Sequence, residues 1–233
     1  MDHNTRETVV HSGLQRFIRD DTVNRRRKVL LGYYDYTVIL TYFGMLSAFS
    51  GILCAINEQF RKAVICLLIA GCCDLFDGAV ASTKERTKSE KCFGIQIDSF
   101  SDLISFGVLP AVFLYMFSGK SGFSAASAAL YTLLALIRLS FFNVTEEERQ
   151  DSTNSRRTDF QGIPVTTAAM VLPLVYLMYT AGLFVNIQFF TGIMLMLGCG
   201  FISIIKIKKP QKTGKIVMLL IGLAETIGIC MIK

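Results

Sequence analysis

Asp74, Asp77, Asp98 and Asp102 lie in or at the ends of two stretches apolar enough to cross a membrane. A carboxylate at the centre of a membrane helix costs roughly 2.5–3.5 kcal/mol on insertion scales, so this group calls for a compensating charge. Asp74 and Asp77 are three residues apart and Asp98 and Asp102 four apart, so on helices each pair falls on one face. The segment between the pairs, 83–93, is short and carries Lys84, Arg86, Lys88 and Lys91. It predicts two antiparallel neighbouring helices with both acidic pairs at similar depth. Converging carboxylates without His or Cys are an oxygen-only ligand set. Such a set favours a hard cation, Mg²⁺ or Mn²⁺, bound jointly with the phosphates of a substrate.

Small residues continue the acidic faces. Gly78 and Ala81 follow Asp77 at one and four residues, and Gly94 precedes Asp98 by four. Missing side chains beside acidic ones leave room for a ligand against the backbone. Small residues also let membrane helices pack closely, but the aspartates among them favour the ligand site. The seven Cys follow no metal-ligand spacing, and most sit in apolar runs as small hydrophobes. His3 and His11 both lie near the amino end, away from the acidic pairs.

The elements that must position these residues are membrane helices. Of the 233 residues, 52% are apolar, the mean hydropathy is +0.47, and the apolar residues come in runs. The runs cover about 36–57, 63–82, 94–117, 123–144, 164–185, 187–205 and 214–232. A span needs about 20 residues at 1.5 Å rise. The expected fold is therefore an all-α, polytopic membrane bundle of six to seven transmembrane helices, with the last two runs near the minimum length. Residues 1–35 are polar, hold no apolar core followed by a cleavage site, and are expected on the cytosolic side. Within them Val10, Leu14, Phe17 and Ile18 recur at the spacing of an amphipathic interfacial helix. Lys and Arg concentrate before the first run, in 83–93, in 145–162 and in 206–215, which places the amino end in the cytosol and the carboxyl end outside. The net charge of +6 is then a property of loops facing anionic lipid and implies no nucleic-acid partner. Lys206, Lys208, Lys209, Lys212 and Lys215 form a basic patch for lipid head groups, 145–162 reads as a solvated connection, and Glu225 is a lone carboxylate in the last run.

The sequence resembles the CDP-alcohol phosphatidyltransferase family, whose motif is D-x-x-D-G-x-x-A-R, a gap, then G-x-x-x-D-x-x-x-D. Here it reads D74-L-F-D77-G78-A-V-A81-S82 and G94-I-Q-I-D98-S-F-S-D102. Three downstream stretches, Ser105–Pro110, Arg138–Asn143 and Phe160–Pro164, are most similar to the branch of the family that uses L-serine. The resemblance covers roughly 36–210. It divides the chain into an amino-terminal segment 1–35, a catalytic membrane domain 36–210 and an additional carboxyl-terminal helix 211–233. Two departures stand out. Ser82 occupies the family's Arg position, and the gap Thr83–Phe93 is longer than usual. Lys84 or Arg86 on that longer loop is the expected substitute for the missing guanidinium.

The resemblance implies transfer of a phosphatidyl group from CDP-diacylglycerol to the hydroxyl of L-serine, with release of CMP, at the cytosolic face of the cell membrane. It implies Asp74, Asp77, Asp98 and Asp102 as metal ligands and Asp102 as general base. Asp74, Gly78, Ala81, Ser82, Gly94 and Asp98 would hold the CDP moiety. It also implies a homodimer surrounded by membrane lipid. Arg138 is the basic residue deep in a span, where it would meet the acceptor carboxylate or a phosphate, with Asn143 beside it. Glycerol phosphate or inositol phosphate as acceptor would need more cationic groups within the spans. A cation transporter would place its carboxylates near the midplane of repeated halves, and no repeat is visible.

Overall fold

The computed structural model describes residues 32–34, 36–81, 83–152, 159–183, 186–208 and 212–231. Ser82, Lys209 and the tail residues Val10, Leu14, Phe17 and Ile18 lie outside the described residues. Helix dominates: α1 (Tyr36–Ile56), α2 (Phe60–Ala81), α3 (Lys88–Asp102), a π-helical segment (Leu103–Val108), α4 (Leu109–Phe117), α5 (Gly122–Ser152), α6 (Ala168–Thr180), α7 (Ile187–Phe201) and α8 (Lys212–Met231). The described strands are two three-residue segments, β1 (Asp159–Gln161) and β2 (Lys206–Lys208), paired antiparallel with Phe160 opposite Ile207. The protein is a polytopic helical bundle.

The helices are built for lipid. On α1 the buried positions are, apart from Val38, small or hydroxylic, namely Thr37, Thr41, Gly44, Ala48, Gly51 and Ala55. Ile39, Phe43, Leu46 and Leu53 of the same helix are exposed. A stripe of bulky apolar side chains facing outward and small ones facing inward is the packing rule of a membrane helix. Among the described residues, five helical stretches are long and apolar enough to cross a bilayer: Tyr36–Ile56, Phe60–Ala81, Ser89–Phe117, Gly122–Arg149 and Gly214–Met231. The fifth and sixth runs give shorter apolar helices, Val165–Thr180 and Ile187–Phe201.

The fifth run is thus shorter than its sequence suggests, and the last is long enough. Local capping explains the difference. Pro164 is extended, and at the other end Gly182 has φ of +75°. Its N–H bonds Tyr179 O at 3.0 Å, and the N–H of Leu183 bonds Met178 O at 3.0 Å, a Schellman cap that stops α6 inside the apolar run. The connection after residue 145 is also corrected. α5 continues as helix to Ser152, supported by a bidentate Arg149–Glu146 pair one turn apart.

The core holds an aromatic cluster at the end away from the acidic pairs. Phe113 and Phe117 pack edge-on or tilted against Phe60, Tyr176 and Phe190, with ring centroids 5.0–6.0 Å apart. Gly162 (φ +76°) brings the chain back after β1, and a Cβ there would collide with the carbonyl oxygen of Phe201. Only glycine allows that approach. The sequence stretch Phe160–Pro164 is therefore a structural return, with Ile163 N–H bonded to Gly200 O at 3.0 Å.

At the loops opposite the acidic end, Lys120 Nζ donates to Glu58 Oε1 at 2.7 Å and holds that carboxyl below its ordinary range. The contribution is present above the ordinary Glu range and fades as pH falls through the lowered value. Both side chains are solvent-exposed, so the effect is screened and small. Glu225 is the opposite case. It is buried in α8, and neither carboxyl oxygen has a hydrogen-bond partner among the described residues. Removing an unsatisfied buried polar group relieves about 1–3 kcal/mol. Glu225→Met is therefore expected to raise the thermal midpoint, by roughly 2–4 °C for each kcal/mol relieved. A lower midpoint in detergent-solubilised protein would show that the carboxyl has a stabilising role.

Candidate active site

α2 ends in the first acidic pair because its last turns read DLFDGAVA, where helix-forming residues carry Asp74 and Asp77 up one face. α3 begins with a capping box. The side chain of Thr87 accepts from the N–H of Glu90, and the Glu90 carboxylate accepts from the N–H of Thr87 at 2.8 Å. That box fixes the start of the helix that delivers Asp98 and Asp102.

Carboxylate oxygens of Asp74, Asp77 and Asp98 lie within 4.8 Å of one another. Asp77 and Asp98 meet directly, side chain to side chain. Asp102 lies one turn further along α3, outside that triad, although its charge interacts with those of Asp74, Asp77 and Asp98. All four side chains are half-buried. Three hard oxygen donors at this separation fit a divalent cation, and phosphate oxygens of a substrate can complete its shell. The donor chemistry thus supports divalent-metal dependence and separates Asp102 from the other three.

The backbones of α2 and α3 make little direct contact; α1 packs along both. Thr41 of α1 is the connecting residue. Its hydroxyl donates to Asp77 Oδ2 at 3.3 Å, and its backbone carbonyl accepts from the Ser101 hydroxyl at 3.3 Å. Sequence reasoning missed Thr41. The available signal was a hydroxyl residue on the small-residue face of the first span. Ser99 and Ser101 bond across helices instead of to their own backbones: the Ser99 hydroxyl donates to Asn143 Oδ1 at 2.7 Å. Asn143 therefore ties α5 to α3 directly beside Asp98. Arg138 is buried on α5, its guanidinium stacks 5.2 Å from the centre of the Phe142 ring, and its charge reaches Asp102.

The glycines divide in role. A Cβ on Gly78 would meet nothing within 4 Å, so the wall beside Asp77 is open. A Cβ on Gly94 would meet Arg86 Nη1 at 2.9 Å, so the Arg86 side chain lies across that glycine. Lys84 instead pairs with Glu90 at 3.7 Å. Of Lys84 and Arg86, Arg86 is the one that lies against the Gly94–Asp98 stripe. Ala81 closes the last turn of α2.

The helix carrying Asp98 and Asp102 changes pitch immediately after them. Leu109 N–H bonds Ile104 O, five residues back, as a π turn requires. Pro110 has no N–H to offer Phe106 O four residues back, and the buried Tyr131 hydroxyl donates to that carbonyl at 3.0 Å. The pitch change leaves the acidic stripe and the core-facing Phe106, Leu109 and Phe113 on separately phased halves of one span.

Comparison with known proteins gives the family. Residues 37–204 match the CDP-alcohol phosphatidyltransferase family. A CDP-diacylglycerol–serine O-phosphatidyltransferase from Saccharomyces cerevisiae is 32% identical over 195 residues, 72% of this chain and 70% of that protein. A protein of the same name from Helicobacter pylori is 30% identical over 183 residues, 76% of this chain and 71% of its own length. Archaetidylserine synthase from Methanothermobacter thermautotrophicus is 34% identical over 137 residues, 57% of this chain and 55% of that one. With a matched stretch that contains both acidic pairs, the chain belongs to the CDP-alcohol phosphatidyltransferase family.

Proposed function

We propose that this protein transfers the phosphatidyl group of CDP-diacylglycerol to the hydroxyl of L-serine, giving phosphatidylserine and CMP. The observation that carries the reading is the Asp74–Asp77–Asp98 carboxylate triad at the ends of two membrane helices, in a chain whose relatives are named for that reaction. Asp74, Asp77 and Asp98 would hold Mg²⁺ or Mn²⁺, which supplies charge neutralisation for the diphosphate and the departing CMP. Thr41 orients Asp77, the open wall at Gly78 together with Ala81 admits the cytidine and diphosphate, and Gly94 seats the Arg86 side chain beside them. Arg86 is the loop cation for the nucleotide side. Asp102 accepts the proton as the serine oxygen forms its bond to the lipid-side phosphorus and the bond from that phosphorus to the CMP oxygen breaks. Arg138, whose charge reaches Asp102, receives the serine carboxylate, with Asn143 holding the helix that carries it.

The site belongs on the cytosolic face of the cell membrane, because the adjoining 83–93 loop and the carboxyl-terminal Lys cluster are basic. We further propose a homodimer whose catalytic unit is 36–210, preceded by an interfacial segment and followed by α8. The deciding experiment supplies purified protein with CDP-diacylglycerol, divalent metal and a panel of acceptor alcohols. CMP release is expected with L-serine and not with glycerol phosphate or inositol phosphate. Release with a phosphorylated acceptor alone would reassign the acceptor, and no release with any of them would remove the enzymatic reading.

A further inference from the structure

α8 lies beyond the stretch that matches the family, yet its first turn reaches the acidic cluster. Lys215 Nζ donates to the backbone carbonyl of Leu75 at 2.9 Å. Leu75 stands between Asp74 and Asp77, so the ammonium rests against the turn that carries both, and its charge acts on both carboxylates. A lysine at the head of a membrane helix ordinarily extends toward the lipid head groups. Here the side chain is half-buried and docks on another helix. One carbonyl engages one of the three N–H donors of an ammonium.

A second observation points to a ligand beside it. A cavity of ≈ 370 Å³ lies between α2, α6 and α8, lined by Leu68, Cys72, Met170, Met218 and Leu223, with Asp74 also in its wall. The lining is almost wholly apolar and it is continuous with the acidic cluster through Asp74. A cation, a carboxylate cluster and an apolar cavity in sequence match a phosphate that continues into a hydrocarbon chain. The lipid substrate has that chemistry on the side of its phosphate away from the nucleotide.

We propose that Lys215 is a substrate-positioning residue, holding the lipid-side phosphate of CDP-diacylglycerol while the start of one acyl chain lies in the α2–α6–α8 cavity. α8 thereby completes the transfer site from outside the matched stretch. The proposal rests on the CDP-lipid reading above. It also assigns the positive charge missing at Ser82 to two places: Arg86 on the nucleotide side and Lys215 on the lipid side.

The test uses the full chain in lipid nanodiscs, with CMP release followed as each substrate is varied. Lys215→Gln keeps an N–H donor for Leu75 and removes the charge. It is expected to raise KM for CDP-diacylglycerol by roughly tenfold, the size of one charge-assisted hydrogen bond, and to leave KM for serine unchanged. Lys215→Arg restores the charge and is expected to return KM for the lipid to within about threefold of wild type. An unchanged lipid KM in Lys215→Gln, beside an active wild type, overturns the proposal alone. So does a parallel loss toward both substrates with a lower thermal midpoint that arginine does not rescue, because the lysine is then only a tether for α8. A wild-type protein that releases no CMP with any acceptor removes the CDP-lipid reading and this proposal with it.

Discussion

Asp102→Asn is expected to lower serine-dependent CMP release by roughly 10²–10⁴-fold, the usual contribution of a general base, while binding of CDP-diacylglycerol stays within about threefold of wild type. The expectation follows from the separation of the acidic residues. Asp74, Asp77 and Asp98 form the compact triad, whereas Asp102 stands a helical turn away, within reach of the Arg138 charge. Asparagine matches the carboxylate in shape and cannot take up a proton, so the nucleotide-binding end should be undisturbed. Turnover and equilibrium binding measured on one preparation decide the matter. Wild-type turnover would remove Asp102 from the role of base. Loss of binding in step with turnover would place it among the metal ligands.

Asp77→Asn is expected to have an effect at least as large, but of a different kind. Asp77 is the best-connected member of the triad: it meets Asp98 and accepts from Thr41 on a third helix. Replacing it removes a charged ligand and leaves the Thr41 bond possible, since an amide oxygen also accepts. Turnover is expected to fall by about 10³-fold or more, with CDP-lipid binding weakened as well. The metal concentration giving half-maximal activity should rise. Chelating the divalent ion from the wild-type protein should reproduce the loss, and restoring Mg²⁺ or Mn²⁺ should reverse it. A variant whose metal titration overlays that of wild type would show that the triad is not the metal site.

What the sequence revealed, and what it concealed, has a physical pattern. The aspartates were legible because a charge in an apolar run is conspicuous and helical spacing assigns its face. The bundle was legible for the same reason that hydropathy works at all: backbone groups in lipid must be satisfied within the helix. Thr41 was not legible, because a threonine in a membrane helix is common and its partner is 36 residues away. The intervening position of α1 was hidden too. A short loop says that two helices are close and cannot say that a third packs along both. Run lengths misled at α6, where the Gly182 cap ends the helix before the hydrophobicity ends. They misled again at α5, where Glu146 and Arg149 extend a helix into polar sequence. Gly94 read as room for a ligand, and the structure fills that room with Arg86.

The widened turn at Leu103–Val108 bears on the faces this span presents. A π turn amounts to one residue inserted into an α-helix, and each residue rotates the helix by about 100°. The acidic half before it and the apolar half after it are therefore offset from each other by that fixed angle. Leu109 and Phe113 after the turn can thus face the core while Asp98 before it faces Asp77. The Tyr131 hydroxyl on Phe106 O holds the joint closed. One span thereby serves two faces, acidic and core-facing, that a regular α-helix of the same sequence would set at a different angle.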